Sequence, residues 1–239
     1  MLTPEEWSAL RLSLVVAASA ATAGIPLAVL LGYWLARSRS TARWLVESMV
    51  NVPLVLPPVV TGYLLLAAFS PGGPIGAVLA NWFGLQIVFT LAGAVLAAVV
   101  VSFPLMVRAI RLAFQQSDPR LEPAARTLGA GPVDAFFSVT LPLARRGVIA
   151  GWLLGFARSL GEFGATIMIA GNIAGRTQTI PLAVFSMANQ PGGIDRAWRL
   201  VVVSVLLACL ALGASELLER RASPDRGTDG SDLEVEPSA

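Results

Sequence analysis

The sequence predicts an all-α integral membrane protein: about five transmembrane helices, short helices in a cytoplasmic loop, and an outer-face interfacial or re-entrant helix. Three observations predict it. Of 239 residues, 55% are hydrophobic and only 13% charged, where soluble domains carry about a quarter charged. Five stretches reach the ~20 apolar residues that cross a hydrocarbon core: roughly Leu12–Ala36, Val50–Phe69, Ile87–Val107, Val148–Ala170 and Trp198–Leu218. The basic residues, all of them arginine, gather after the first, third and fifth stretches.

The first stretch is expected to be a retained helix rather than a signal peptide. Its head is acidic at Glu5 and Glu6 with only Arg11 to balance them, and the apolar run continues to Leu35. The second is irregular, because "NVPLVLPPVV" holds Pro53, Pro57 and Pro58. Prolines free backbone carbonyls, so this span is expected to face protein or a pathway rather than lipid all round. Between the fourth and fifth, "TQTIPLAVFSMANQPGG" has an apolar core of about eight residues around Ile180–Met187, too short to cross. It reads as an outer-face interfacial or re-entrant helix, closed by the Pro-Gly-Gly turn. Residues 1–221 form one membrane domain without internal repeats, and the acidic tail, 222–239, is expected to be disordered.

Arginine density sets the orientation. Arg37, Arg39 and Arg43 follow the first span, Arg108, Arg111, Arg120, Arg126, Arg145 and Arg146 lie between the third and fourth, and Arg220 and Arg221 follow the fifth. These segments are expected in the cytoplasm, with the N-terminus outside and the C-terminus inside. One outer loop, "SPGGPIGAVLANWFG", has no arginine; the other holds Arg176, Arg196 and Arg199.

The composition also excludes chemistries. Histidine is absent and cysteine is limited to Cys209, which removes the usual general base, metal ligand and thiol cluster. "GAGP" lacks the lysine and spacing of a Walker loop. No carboxylate pair sits within a span for acid–base work. No catalytic residue, resident metal or nucleic-acid partner is expected; the bilayer is the obvious partner.

The long cytoplasmic loop, "SDPRLEPAARTLGAGPVDAFFSVTLPLARR", carries the most information. Asp118 can cap a helix with Pro119 in its first position, but Pro123 then falls where a backbone N–H is wanted, so the start is set at Glu122/Pro123. This helix is expected to end at Gly129, in the left-handed closing conformation. Pro132 opens a second short helix bearing Val133, Phe136, Phe137 and Val139. Two short helices around a glycine make an apolar knob; the alternative is an amphipathic loop lying on the bilayer.

That loop resembles one in the permease subunits of ABC importers, whose last large cytoplasmic loop runs Glu-Ala-Ala, three residues, Gly, nine residues, an aliphatic residue, one residue, then Leu-Pro. Ala124, Ala125, Gly129, Val139, Leu141 and Pro142 stand at that spacing, whereas Pro123 occupies the glutamate position and Glu122 stands one residue earlier. Together with "VPLVLPPVVTGYLLL", "FTLAGAVLAAVVVSFPLMVRAIR", "FARSLGEFGATIMIAGN" and "TQTIPLAVF", the chain is similar to the molybdate permeases of type I ABC importers, from the first span to about Met187. The resemblance implies a bacterial inner-membrane complex of two permease chains, two ATPase subunits and an external solute-binding protein. Residues 113–146 would be the coupling loop, docking on an ATPase that holds ATP and Mg. The permease itself would then be no enzyme, and its cargo would be molybdate, by analogy also tungstate.

Sulfate and thiosulfate permeases share the Arg…Gly-Glu-Phe-Gly stretch, so a sibling oxyanion importer is the first alternative. A secondary anion transporter is the second, but it usually wants inverted repeats or a chain of ionisable groups. Here the fourth span holds Arg158 and Glu162 alone, one helical turn apart, beside a small-residue stripe of Gly151, Gly155 and Ser159. The pair is either a structural ion pair that locks the fourth span to a neighbouring helix or part of the translocation pathway.

Overall fold

The computed structural model describes residues 2–220, and the expected acidic tail, 222–239, lies outside them. Among the described residues the chain is helical, without a strand. The helices are α1 (Pro4–Arg37), α2 (Ala42–Val55), α3 (Pro58–Phe69), α4 (Gly76–Phe83), α5 (Leu91–Gln116), α6 (Leu121–Thr127) and α7 (Pro132–Ala135). A π turn (Phe136–Thr140) leads into α8 (Leu141–Leu160), followed by α9 (Gly164–Ala170), α10 (Ile180–Ala188) and α11 (Gly193–Arg220).

The centre is built from α1, α5 and α8. At 34 residues α1 is about 51 Å long, more than a bilayer core requires. Its start is fixed by a capping box: Glu6 N–H donates to Thr3 Oγ1 at 3.3 Å, and Thr3 N–H donates to Glu6 Oε2 at 2.6 Å. Ala17, Ala20, Ala21 and Ala28 of α1 are buried, as are Ala94, Ala97 and Ala98 of α5. Small side chains suit this setting, because helix association in lipid rests on close van der Waals contact. The expected stripe on α8 works the same way, and its neighbour is α5: a Cβ at Gly155 would lie 2.7 Å from Met106 Cγ.

Two of the expected spans are broken. Helices α2 and α3 meet at a 109° bend. The residue before a proline is driven out of the helical region, and both Leu56 (ψ 139°) and Pro57 (ψ 133°) are extended before Pro57 and Pro58. The second break bends the helix that ends at Leu160 by 70° from α9. The sequence reading of Val148–Ala170 as one continuous span is therefore corrected. No proline causes this bend; Gly161 and Gly164 flank it.

Among the described residues, α1 and α5 are each long and apolar enough to cross a membrane, and up to four spans result if each bent pair counts as one. The fifth expected span is the 28-residue α11. The short segment before it is α10, nine residues or roughly 14 Å, too short to cross. It is stitched to α1, with Ile180 N–H donating to Ser13 Oγ at 2.7 Å. Nearby, buried Glu6 pairs with Arg199 at 3.2 Å. The arginine-free loop also contains a helix the sequence reading lacked, α4, ended by Gly84 at φ 62°.

Candidate functional site

The segment from Asp118 to Pro142 is shaped by its own local chemistry. Asp118 Oδ1 accepts from Arg120 N–H at 2.9 Å, and α6 starts at Leu121, one residue before the expected position. Pro123 is accommodated because the first-turn N–H groups have no helical acceptor. Gly129 closes α6 at φ +101°. Ala130 N–H donates to the Ala125 carbonyl and Gly129 N–H to that of Arg126, both at 3.1 Å, a Schellman closure.

The second helix departs from expectation. Pro132 does open it, but α7 is one turn long and runs through the π turn into α8. In the π turn Leu141 N–H donates to the Phe136 carbonyl. Pro142, next in line, has no N–H to give, and the wider turn leaves room for its ring. Phe136 thereby faces inward, its ring 5.1 Å from that of Tyr33 and edge-on to it. Of the expected apolar knob, Val133 and Phe137 remain exposed, at 70% and 62%, joined by Leu128 at 89%.

Glu122 holds this segment to the bundle. Its Oε1 and Oε2 each lie 2.9 Å from the Tyr33 hydroxyl of α1, which donates to the carboxylate, and Oε2 accepts from Thr140 Oγ1 at 3.1 Å. Ala124, Gly129 and Pro142 are exposed, while Ala125, Val139 and Leu141 are half-buried. Leu141 packs against the core formed by Leu35, Ile110 and Phe114.

The second place of interest is the bend between α8 and α9. Arg158 Nη1 lies 2.9 Å from Glu162 Oε2, with the arginine side chain 30% exposed and the glutamate 2%. The spacing expected on a continuous helix is thus a true pair, but it straddles a break. The other carboxylate oxygen accepts from Ala165 N–H at 2.8 Å, satisfying an amide at the start of α9. The bend packs onto the other broken pair: a Cβ at Gly62 of α3 would lie 2.6 Å from Ala165 Cα. The buried hydroxyls of Thr61 and Ser159 have no hydrogen-bond partner among the described residues.

A protein-family model described as "Binding-protein-dependent transport system inner membrane component" matches residues 24–224. The chain belongs to that family. It is 50% identical over 220 residues to the molybdenum transport system permease protein ModB of Escherichia coli (strain K12), covering 92% of this chain and 96% of that one. It is 35% identical over 214 residues to the sulfate transport system permease protein CysW of Synechocystis sp., covering 90% and 77%. The crystal structure of a bacterial ABC transporter involved in import of the acidic polysaccharide alginate matches with a TM-score of 0.70. That match, at 16% identity, covers 93% of this chain and 82% of that one, and shows a shared fold.

As a member of this inner-membrane transport family, the chain is a multi-pass membrane protein. Sequence reasoning missed three of its polar anchors. Arg111 of α5 pairs with Glu47 of α2 at 2.5 Å, and Arg108 Nε donates to Asn51 Oδ1 at 3.0 Å. The cue was available: Glu47 and Asn51 share one helix face, and Arg108 and Arg111 share another. Tyr33 is the third, and nothing near it in sequence announces a partner 89 residues away.

Proposed function

We propose that this chain is the permease of an ATP-driven importer that carries molybdate into the cytoplasm, together with tungstate, a dianion of the same shape. The observation that carries this reading is the 50% identity across 92% of the chain to a molybdenum transport permease. The sulfate or thiosulfate alternative rests on 35% identity to a sulfate permease. The secondary-transporter alternative finds no support in the family.

In this reading the segment from α6 to the π turn docks on a separate ATPase subunit through Leu128, Val133 and Phe137. ATP and Mg2+ are bound and hydrolysed on that subunit. A second copy of the chain covers the uncovered face of the broken pair, where Trp44, Met49, Val55 and Tyr63 are 59–84% exposed. An external solute-binding protein delivers the anion to the end where Glu6, α10 and Arg199 meet. That end is outside, and the C-terminal ends of α1 and α11 are cytoplasmic. Arg158, part exposed at its bend, offers the passing dianion transient compensation, while Glu162 lowers the net field so that release stays fast. The unpaired hydroxyls of Thr61 and Ser159 suit a pathway of uncharged polar groups.

The test is complementation. The gene is expressed with its own ATPase and binding-protein partners in a bacterium deleted for its molybdate permease, and molybdoenzyme activity is measured at limiting molybdate. Restored activity is expected. Restored sulfate uptake without molybdoenzyme activity would replace this reading with the sulfate one.

A further inference from the structure

Helix α6 has little apolar hold on the bundle, whereas Phe136 and Leu141 at the other end of the coupling segment pack against it. None of the residues of α6 is buried, yet the segment is expected to take a mechanical load. The attachment of α6 is the Glu122 carboxylate, which accepts from the hydroxyls of Tyr33 in α1 and Thr140 in the π turn. Tyr33 is itself fixed: its ring stands edge-on to Phe114 at 5.5 Å and to Phe136 at 5.1 Å. Three chain regions, two of them 89 residues apart, thus meet on one carboxylate. At its far end α1 is tied again, by Glu6 to Arg199 and by Ser13 to the Ile180 amide.

We propose that Glu122 is a positioning residue that locks the coupling segment to the cytoplasmic end of α1, so that the two move as one body. The lock makes α1 the rod that carries a displacement of the segment to the outer end, where α10 and α11 are fastened to it. A carboxylate suits this junction because it accepts several hydrogen bonds at once, and bonds to an ionised acceptor are the stronger kind. The departure at position 123 fits as well. With Pro123 in the first turn of α6, the carboxylate one residue earlier faces Tyr33 and Thr140.

The inference rests on the docking reading above, and its test separates the two. The wild-type complex of permease, ATPase and binding protein is reconstituted in proteoliposomes beside Tyr33→Phe, Glu122→Ala, Glu122→Gln and the Tyr33→Phe/Glu122→Ala double variant. Both uptake and ATP hydrolysis are measured. Tyr33→Phe and Glu122→Ala are expected to assemble normally and to move about tenfold less molybdate per ATP. The double variant should be no worse than Glu122→Ala alone, because Tyr33→Phe removes a contact that Glu122→Ala has already lost. Glu122→Gln, which keeps a carbonyl oxygen for the tyrosine, should recover part of the loss. A wild-type ratio in Tyr33→Phe, or additive losses in the double variant, would overturn the lock. A wild-type permease that forms no complex with the ATPase would overturn the docking reading instead. In that case hydrogen exchange on the full chain decides: Tyr33→Phe should speed exchange within residues 121–140, and an unchanged pattern there overturns the lock.

Discussion

Glu162 plays two parts at the bend, and they separate by substitution. Its carboxylate neutralises Arg158 and also holds the Ala165 amide. Arg158→Leu strands a carboxylate that is only 2% exposed, at a cost of about 3 kcal/mol, the lower end for breaking a buried pair. The expected readout is reduced yield of assembled permease. Arg158→Leu with Glu162→Gln removes both charges and keeps an acceptor for the amide, so it should assemble with the ATPase. If Arg158 serves the anion, that variant fails to move molybdate; full uptake would assign the pair to structure alone. The sequence made the pair legible through its four-residue spacing. It did not make the break legible, since Gly161 and Gly164 are weaker signals than a proline and the 70° bend depends on packing against α3.

At the scale of elements, Gly129 offers the cleanest prediction. A Cβ there would meet nothing within 4 Å, so Gly129→Val acts through the backbone at φ +101°, costing roughly 1–3 kcal/mol of strain. The chain should still insert, while molybdate moved per ATP falls; normal transport by well-expressed protein would count against docking through this segment. Pro123→Glu should be tolerated, since Pro123 is exposed in the first turn of α6, and uptake assays check this directly. Gly155→Leu, by contrast, drives a side chain into Met106 and should lower thermal stability by separating α5 from α8. Turn chemistry made Gly129 and Pro132 readable because the rules there are local. The π turn was not readable, for it arises where a helix must fit Pro142 and bury Phe136 against Tyr33. Likewise Pro57 and Pro58 announced an irregular span, but its 109° bend also reflects contact between α3 and α9.

For the whole molecule, hydropathy and arginine placement gave the class, the expected orientation and most span positions, because the bilayer imposes length and charge rules on any chain. Long-range junctions stayed hidden, since Tyr33 with Glu122 and Glu6 with Arg199 carry no periodic signature. The orientation is tested in a Cys209→Ala background with an impermeant thiol reagent. Glu5→Cys should label from outside, whereas Arg39→Cys and Gly129→Cys should label only after permeabilisation; outside labelling at position 129 would reverse the topology. Import of molybdate by an ATP-driven complex is tested most directly in proteoliposomes holding the permease, its ATPase and the external binding protein. Molybdate accumulation should require ATP and persist in excess sulfate. Accumulation without ATP, or preferential uptake of sulfate, would contradict ATP-driven import of molybdate.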